Sequence, residues 1–97
     1  MKRARSAWQG AILVCGKCSR RLGGGFGPKG RTPLAKALRG CDGIGKGRKA
    51  SIGVIETKCL GLCPTRAVTV VDTRRPGEWL VVEAGDDVAA LARRLAG

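Results

Sequence analysis

Four of the five cysteines in this 97-residue chain stand in two close pairs, Cys15 with Cys18 (C-x2-C) and Cys59 with Cys63 (C-x3-C), with 40 residues between the pairs. Four thiolates are enough for one metal centre, and a fold that joins them must bring two distant stretches of chain to one place. The chain is too short for two full domains and long enough for one marginal core. It contains no histidine, so a transition-metal site is thiolate-only or recruits oxygens. Soft sulfur selects zinc, iron-sulfur or copper(I), and the choice narrows to zinc or an iron-sulfur cluster.

Both pairs follow an apolar run. Ala11, Ile12, Leu13 and Val14 predict a buried strand that ends at Cys15, and Ile52, Val54 and Ile55 predict a second strand running toward Cys59. Between them, Ser19 to Gly30 is basic and rich in glycine, which predicts an irregular loop and no helix directly after the first pair. Thr32 as N-cap and Pro33 in the first turn start a short helix with Leu34 and Leu38 on its apolar stripe, ending near Gly40. Ala67 to Val71 and Glu78 to Val82 predict an antiparallel hairpin around Asp72 to Gly77. Asp86 or Asp87 caps a last helix with Val88, Leu91 and Leu95 on one face. The expected fold is α+β, four short strands with two helices in the order β, α, β, β, β, α, with the cysteine loops after strands one and two. Residues 1–8 are read as a basic N-terminal tail and 9–97 as the domain.

Apolar residues at 43% and charged residues at 27% lie in the globular range despite 16 glycines. The longest apolar stretches, Ala11 to Cys15 and Val88 to Ala92, are far short of the roughly 20 residues of a membrane span. The run after the basic Met1 to Arg5 is also shorter than a secretory core of about 7 to 15 residues. These features predict a cytoplasmic protein, where five cysteines are read as metal or redox chemistry before disulfides.

Structural zinc sites usually repeat tight knuckles about 12 to 20 residues apart, and the spacing here fits that poorly. A binuclear [2Fe-2S] cluster is wider than one zinc ion, and its ligands can come from two well-separated loops. At Cys59, Leu60, Gly61, Leu62, Cys63 and Pro64 the chain resembles the thioredoxin-like [2Fe-2S] ferredoxins, whose second ligand pair is C-x3-C. Ala67 to Val71, then Pro76, Gly77, Glu78 and Trp79, then Val81 and Val82, resembles the family's hairpin, and a closing helix follows. The resemblance covers residues 9 to 97. It implies a thioredoxin-like domain that carries one electron on a [2Fe-2S] cluster held by Cys15, Cys18, Cys59 and Cys63, with no catalysis of its own, and it allows a homodimer. In much of the family the second ligand lies about a dozen residues after the first, whereas Cys18 follows Cys15 by three; Cys41 is the substitute. Otherwise Cys41 reads as a small buried hydrophobe. Gly61 is read as structural, giving the ligand loop a turn that no side chain obstructs.

Two other readings of the thiols remain. Cys15-Gly-Lys-Cys18 superficially resembles a dithiol redox pair, which needs a helix N-terminus to lower the thiolate pKa. A zinc ion on the same four cysteines gives a basic module that binds RNA or DNA. The matches of Gly40 to Lys46 to a P-loop and of Gly25, Gly27 and Gly30 to a dinucleotide fingerprint fail, because Gly47 replaces the metal-binding hydroxyl and Pro28 interrupts the second.

Nineteen Lys and Arg against seven Asp and Glu give +12, all of it in residues 1–50, where Asp42 is the one acid. The run Lys17, Arg20, Arg21, Lys29, Arg31, Lys46, Arg48 and Lys49 is either a solvated face or a partner surface. The partner it suits is a redox protein with an acidic face, or nucleic acid through backbone contacts. Only Trp8, Phe26 and Trp79 are aromatic, so bases are not stacked on a platform. Near a thiolate cluster, whose charge falls from -2 to -3 on reduction, Lys17, Arg20 and Arg21 are expected to raise the potential.

Overall fold

The computed structural model of the chain describes every residue except Lys46, Cys63 and Gly97. Its longest strands are the apolar runs of the sequence: β1 (Gly10–Cys15), β5 (Ile52–Thr57), β6 (Ala67–Asp72) and β7 (Leu80–Glu83). Three two-residue segments join them, β2 (Gly25–Phe26), β3 (Thr32–Pro33) and β4 (Ile44–Gly45). The helices are α1 (Gly16–Leu22), α2 (Leu34–Arg39) and α3 (Val88–Ala96). The mixed sheet runs β4-β5-β1-β6-β7, with β2 and β3 in a separate ribbon. β1 lies at its middle, parallel to β5 and antiparallel to β6, and β6 pairs antiparallel with β7 as a hairpin.

Alternation along the strands sorts the two faces of this sheet. Ile12, Val14, Val54, Val68, Val70 and Val82 point to one side, where they form a single core with Cys18 of α1, Leu34 and Leu38 of α2 and Leu95 of α3. The register aligns Ile55, Leu13 and Val71 on the other side, and Thr69 with Val81. There Ile55 and Val81 stay exposed, as does Trp79 just before β7. None of the helices among the described residues is long and apolar enough to cross a membrane.

The structure corrects the expected fold in three places. Among the described residues the sheet has a fifth strand, β4, and β2 and β3 form a ribbon beside it; all three are too short to carry a periodic pattern. Residues 16–22 form a helix where a loop was expected. The glycine run begins only at Gly23, which is left-handed at φ 63° and stops α1 by donating to Arg20 O, while Gly24 donates to Ser19 O. The residues before it, Lys17, Arg20, Arg21 and Leu22, are good helix formers. Finally, α2 starts one residue later than expected, with Pro33 at the N-cap and Thr32 in the ribbon. The last helix begins as the sequence predicts, its Ala89 N–H donating to Asp87 Oδ1 at 3.0 Å.

Asp72 closes β6 with a buried carboxylate. Its Oδ1 accepts from the Arg74 backbone N–H (2.9 Å) and Nε (3.2 Å), its Oδ2 pairs with the Arg74 guanidinium (2.9 Å) and the Arg75 guanidinium (3.6 Å), and Arg74 also donates to Leu95 O of α3. Burial pushes this carboxyl up, but the Arg74 hydrogen bonds and the two guanidinium charges outweigh it and hold it below the usual value of 3.8. A carboxyl depressed on folding stabilises the fold above its unfolded pKa, and the gain is lost as the pH falls through the folded one. Asp72→Asn should therefore cost about 1–2 kcal/mol at pH 7. In urea melts, the gap between variant and parent should narrow as the pH is lowered from 5 toward 2.

Candidate metal centre

The parallel pairing of β1 with β5 determines where the cysteines meet. In its register Cys15 lies opposite Thr57, so both strands deliver their following loops to the same edge of the sheet. Lys17 N–H donates to Lys58 O at 3.1 Å, and Thr57 Oγ1 donates to Val14 O at 3.4 Å. Gly16 permits the approach: a Cβ there would stand 2.5 Å from Thr57 O, closer than real side chains come. Sequence reasoning missed this residue. With no helix expected there, the sequence held no signal for it; once α1 is seen, a glycine at its first position, which costs about 1 kcal/mol against alanine, marks close packing.

Cys15 is 0% exposed and occupies the N-cap of α1 in extended conformation. Burial pushes its thiol up, yet the backbone N–H groups of Cys18, Leu60 and Lys17 and the Cys18 side chain together hold it below the ordinary thiol value. None of these contacts is a full side-chain cap of the helix. Cys18, 2% exposed, places its Sγ 3.8 Å from Leu62 O as a weak donor. Thr69 Oγ1 donates to the same carbonyl at 2.9 Å, which pins the 59–62 loop over the first pair. Cys59 is exposed on that loop, its sulfur accepting from Gly61 N–H at 3.4 Å. Gly61 is left-handed at φ 90°, the turn expected of it.

The structure therefore places Cys15 and Cys18 in contact, with the Cys59 loop folded against them. Cys63 lies outside the described residues. Among the described residues no three Cys, Asp or Glu side chains are gathered as a metal-holding group. Cys41 is elsewhere. It ends the turn after α2 with its thiol directed at Ala37 O (3.7 Å), and its carbonyl accepts from Ile44, whose partner Ile52 begins β5. That is a strand length, about 17 Å, from the edge where Cys15 and Cys59 lie.

The edge is basic. Lys17, Arg20, Arg21, Lys58 and Arg66 are all exposed around it, and Arg21 and Arg66 line a cleft of about 200 Å³ that opens beside Cys18. Arg66 holds a left-handed backbone at φ 56°. Leu62, 42% exposed, adds an apolar contact to this rim. Compared with known proteins, the chain matches no protein-family model, no curated protein and no solved structure.

Proposed function

We propose that the protein is a one-electron carrier whose [2Fe-2S] cluster is held by Cys15, Cys18, Cys59 and Cys63. The observation that carries this reading is the burial of Cys15 and Cys18 beneath the second cysteine loop. In donor chemistry the set fits: four soft thiols, with backbone N–H groups facing the Cys15 sulfur where a ligating thiolate needs stabilising. Bound there, the cluster supplies one-electron transfer. The chain's own part is to hold the thiols, to shield Cys15 and Cys18 from water beneath the 59–62 loop, and to surround the edge with positive charge. The strand order β5-β1-β6-β7, with helices after β1 and β7, supports the thioredoxin-like domain that the resemblance implies.

A dithiol redox pair is the second reading, and α1 favours it by placing Cys15 at a helix start. Reactive dithiols, however, sit in partly exposed surroundings, whereas neither thiol here offers surface to an exchange partner. Anaerobically purified protein should be red-brown, with two iron and two sulfide per chain. A colourless preparation with one zinc, or with a titratable Cys15–Cys18 disulfide and no metal, would overturn the reading.

The exposed cations and Leu62 around the thiols suit a redox protein with an acidic face, an apolar contact ringed by charge. Arg20→Glu with Arg21→Glu should slow electron transfer to such a partner by about tenfold or more at low salt. The deficit should fade as ionic strength rises, with the absorption spectrum unchanged.

A further inference from the structure

The sheet has a second basic end, as far from the cysteines as the strands allow. β1 and β5 are parallel, so the segments that enter them, residues 1–9 and 47–51, meet at the opposite edge. Ala7 N–H donates to Arg48 O and Gln9 N–H to Ser51 O, both at 2.7 Å. Trp8 locks the contact: its Nε1 donates to Gly47 O at 2.9 Å, and its ring lies on Gly53, where a Cβ would be only 2.2 Å from it. The tail is thus held against the loop, and an open cleft of about 760 Å³ forms between Arg5, Ser6 and Ala7 on one side and Gly47, Arg48 and Lys49 on the other.

Lys2, Arg3, Arg5, Arg48 and Lys49 are exposed at this end, and among the described residues no ion pair reaches any of them. The acids nearby do not neutralise them: Asp72 is taken by Arg74 and Arg75, and Asp42 faces a neighbouring cleft with Gln9 and Ser51. The end is also almost free of apolar anchors. Of the large exposed apolar side chains, Ile55, Leu62 and Val81 lie elsewhere and Trp79 stands two strands away on the β6–β7 turn, leaving Met1 beside the cleft among the described residues, with Trp8 turned inward on Gly53.

We propose that this end binds the phosphate backbone of a nucleic-acid duplex, independently of base sequence. A protein partner is fixed by buried aromatic and aliphatic anchors, which this end lacks. A single strand is held by stacking its bases, and Trp8, the aromatic ring at this cleft, is packed on Gly53 and not free to stack. A duplex presents one charge per roughly 1.7 Å of axis and asks only for cations. The two basic ends are about 17 Å apart along β1, twice the screening length of about 8 Å at physiological salt, so a bound duplex leaves the cysteine edge free. The inference does not rest on the identity of the metal centre.

The test is the salt dependence of binding of the full chain to a labelled 20-base-pair DNA duplex of scrambled sequence. Five cations on phosphates give a log-log slope of about -4.5, a loss on the order of 500-fold between 50 and 200 mM salt. Arg5→Ala with Arg48→Ala and Lys49→Ala should flatten that slope by about 2 to 3. Arg20→Ala with Arg21→Ala, at the cysteine edge, should leave it unchanged. Circular dichroism of both variants should match the parent. Equal flattening by the two variants would show diffuse attraction and overturn the proposal. So would equal or tighter binding of a 20-nucleotide single strand, of polyglutamate, or of phosphatidylserine vesicles.

Discussion

With the proposed [2Fe-2S] cluster in place, Cys15→Ser and Cys59→Ser chains are expected to lose the visible absorption and the iron that it would confer, since a serine oxygen is a harder, more basic ligand than a thiolate. Cys18→Ser and Cys63→Ser should do the same. Cys41→Ser should leave colour and iron content as they are, because Cys41 stands at the other end of β5, hydrogen-bonded within its own turn. A bleached Cys41→Ser beside a coloured Cys18→Ser would place the second ligand in the long loop and contradict the geometry of the edge. The loss should reach the whole domain. A centre that ties the loop after β1 to the loop after β5 contributes folding energy, so removing the metal with a chelator should destabilise the chain by several kcal/mol. Thermal melts before and after chelation measure this directly.

Gly16→Ala is expected to lower stability where helix propensity alone predicts the reverse. Alanine in place of glycine stabilises an ordinary helix by about 1 kcal/mol. At Gly16 the new methyl would meet Thr57 O at 2.5 Å, and that atom belongs to the backbone of β5 and cannot swing aside. The start of α1 must then move off the 57–59 segment, at a cost of about 2–4 kcal/mol, and the two cysteine loops separate with it. Urea unfolding gives the first quantity and iron per chain gives the second; a more stable Gly16→Ala with full iron would show that the loops do not depend on this contact. Gly53 makes a useful comparison, because the obstacle to a Cβ there is the Trp8 ring, a side chain that can leave. Its alanine variant should free the tail at smaller cost.

The parts of the fold that bury a periodic apolar run were legible in the sequence. Ile12 and Val14, Val54, Val68 and Val70, and the Val88, Leu91 and Leu95 stripe announced β1, β5, β6 and α3 by composition alone. Two kinds of element were not. β2, β3 and β4 are held by long-range pairing over two residues each, which leaves no local pattern. Helix α1 was hidden by the glycines that follow it, which end the helix and do not forbid it. At the site, the sequence showed that each cysteine pair follows a strand, while the parallel pairing that makes those strands neighbours came from the structure. What no spacing conveys is the Gly16 contact or the burial of Cys18 beneath Leu62, both of which arise only when segments 40 residues apart pack together.

Because β1 finds its parallel partner 42 positions further along the chain, the strand at the middle of the sheet has no local neighbour on which to form. Closing a loop of that length costs about 3 kcal/mol before any contact is gained. The β6 and β7 hairpin has no such obstacle and can form early. During synthesis, at about 5–20 residues per second, Cys15 and Cys18 leave the ribosome some 2 to 8 seconds before the strand that will shelter them. For that interval they are an unprotected thiol pair on a nascent chain, able to oxidise together or to take a stray ion. Maturation of the protein is therefore a matter of timing, with the first cysteine pair kept reduced until β5 and β6 have been made.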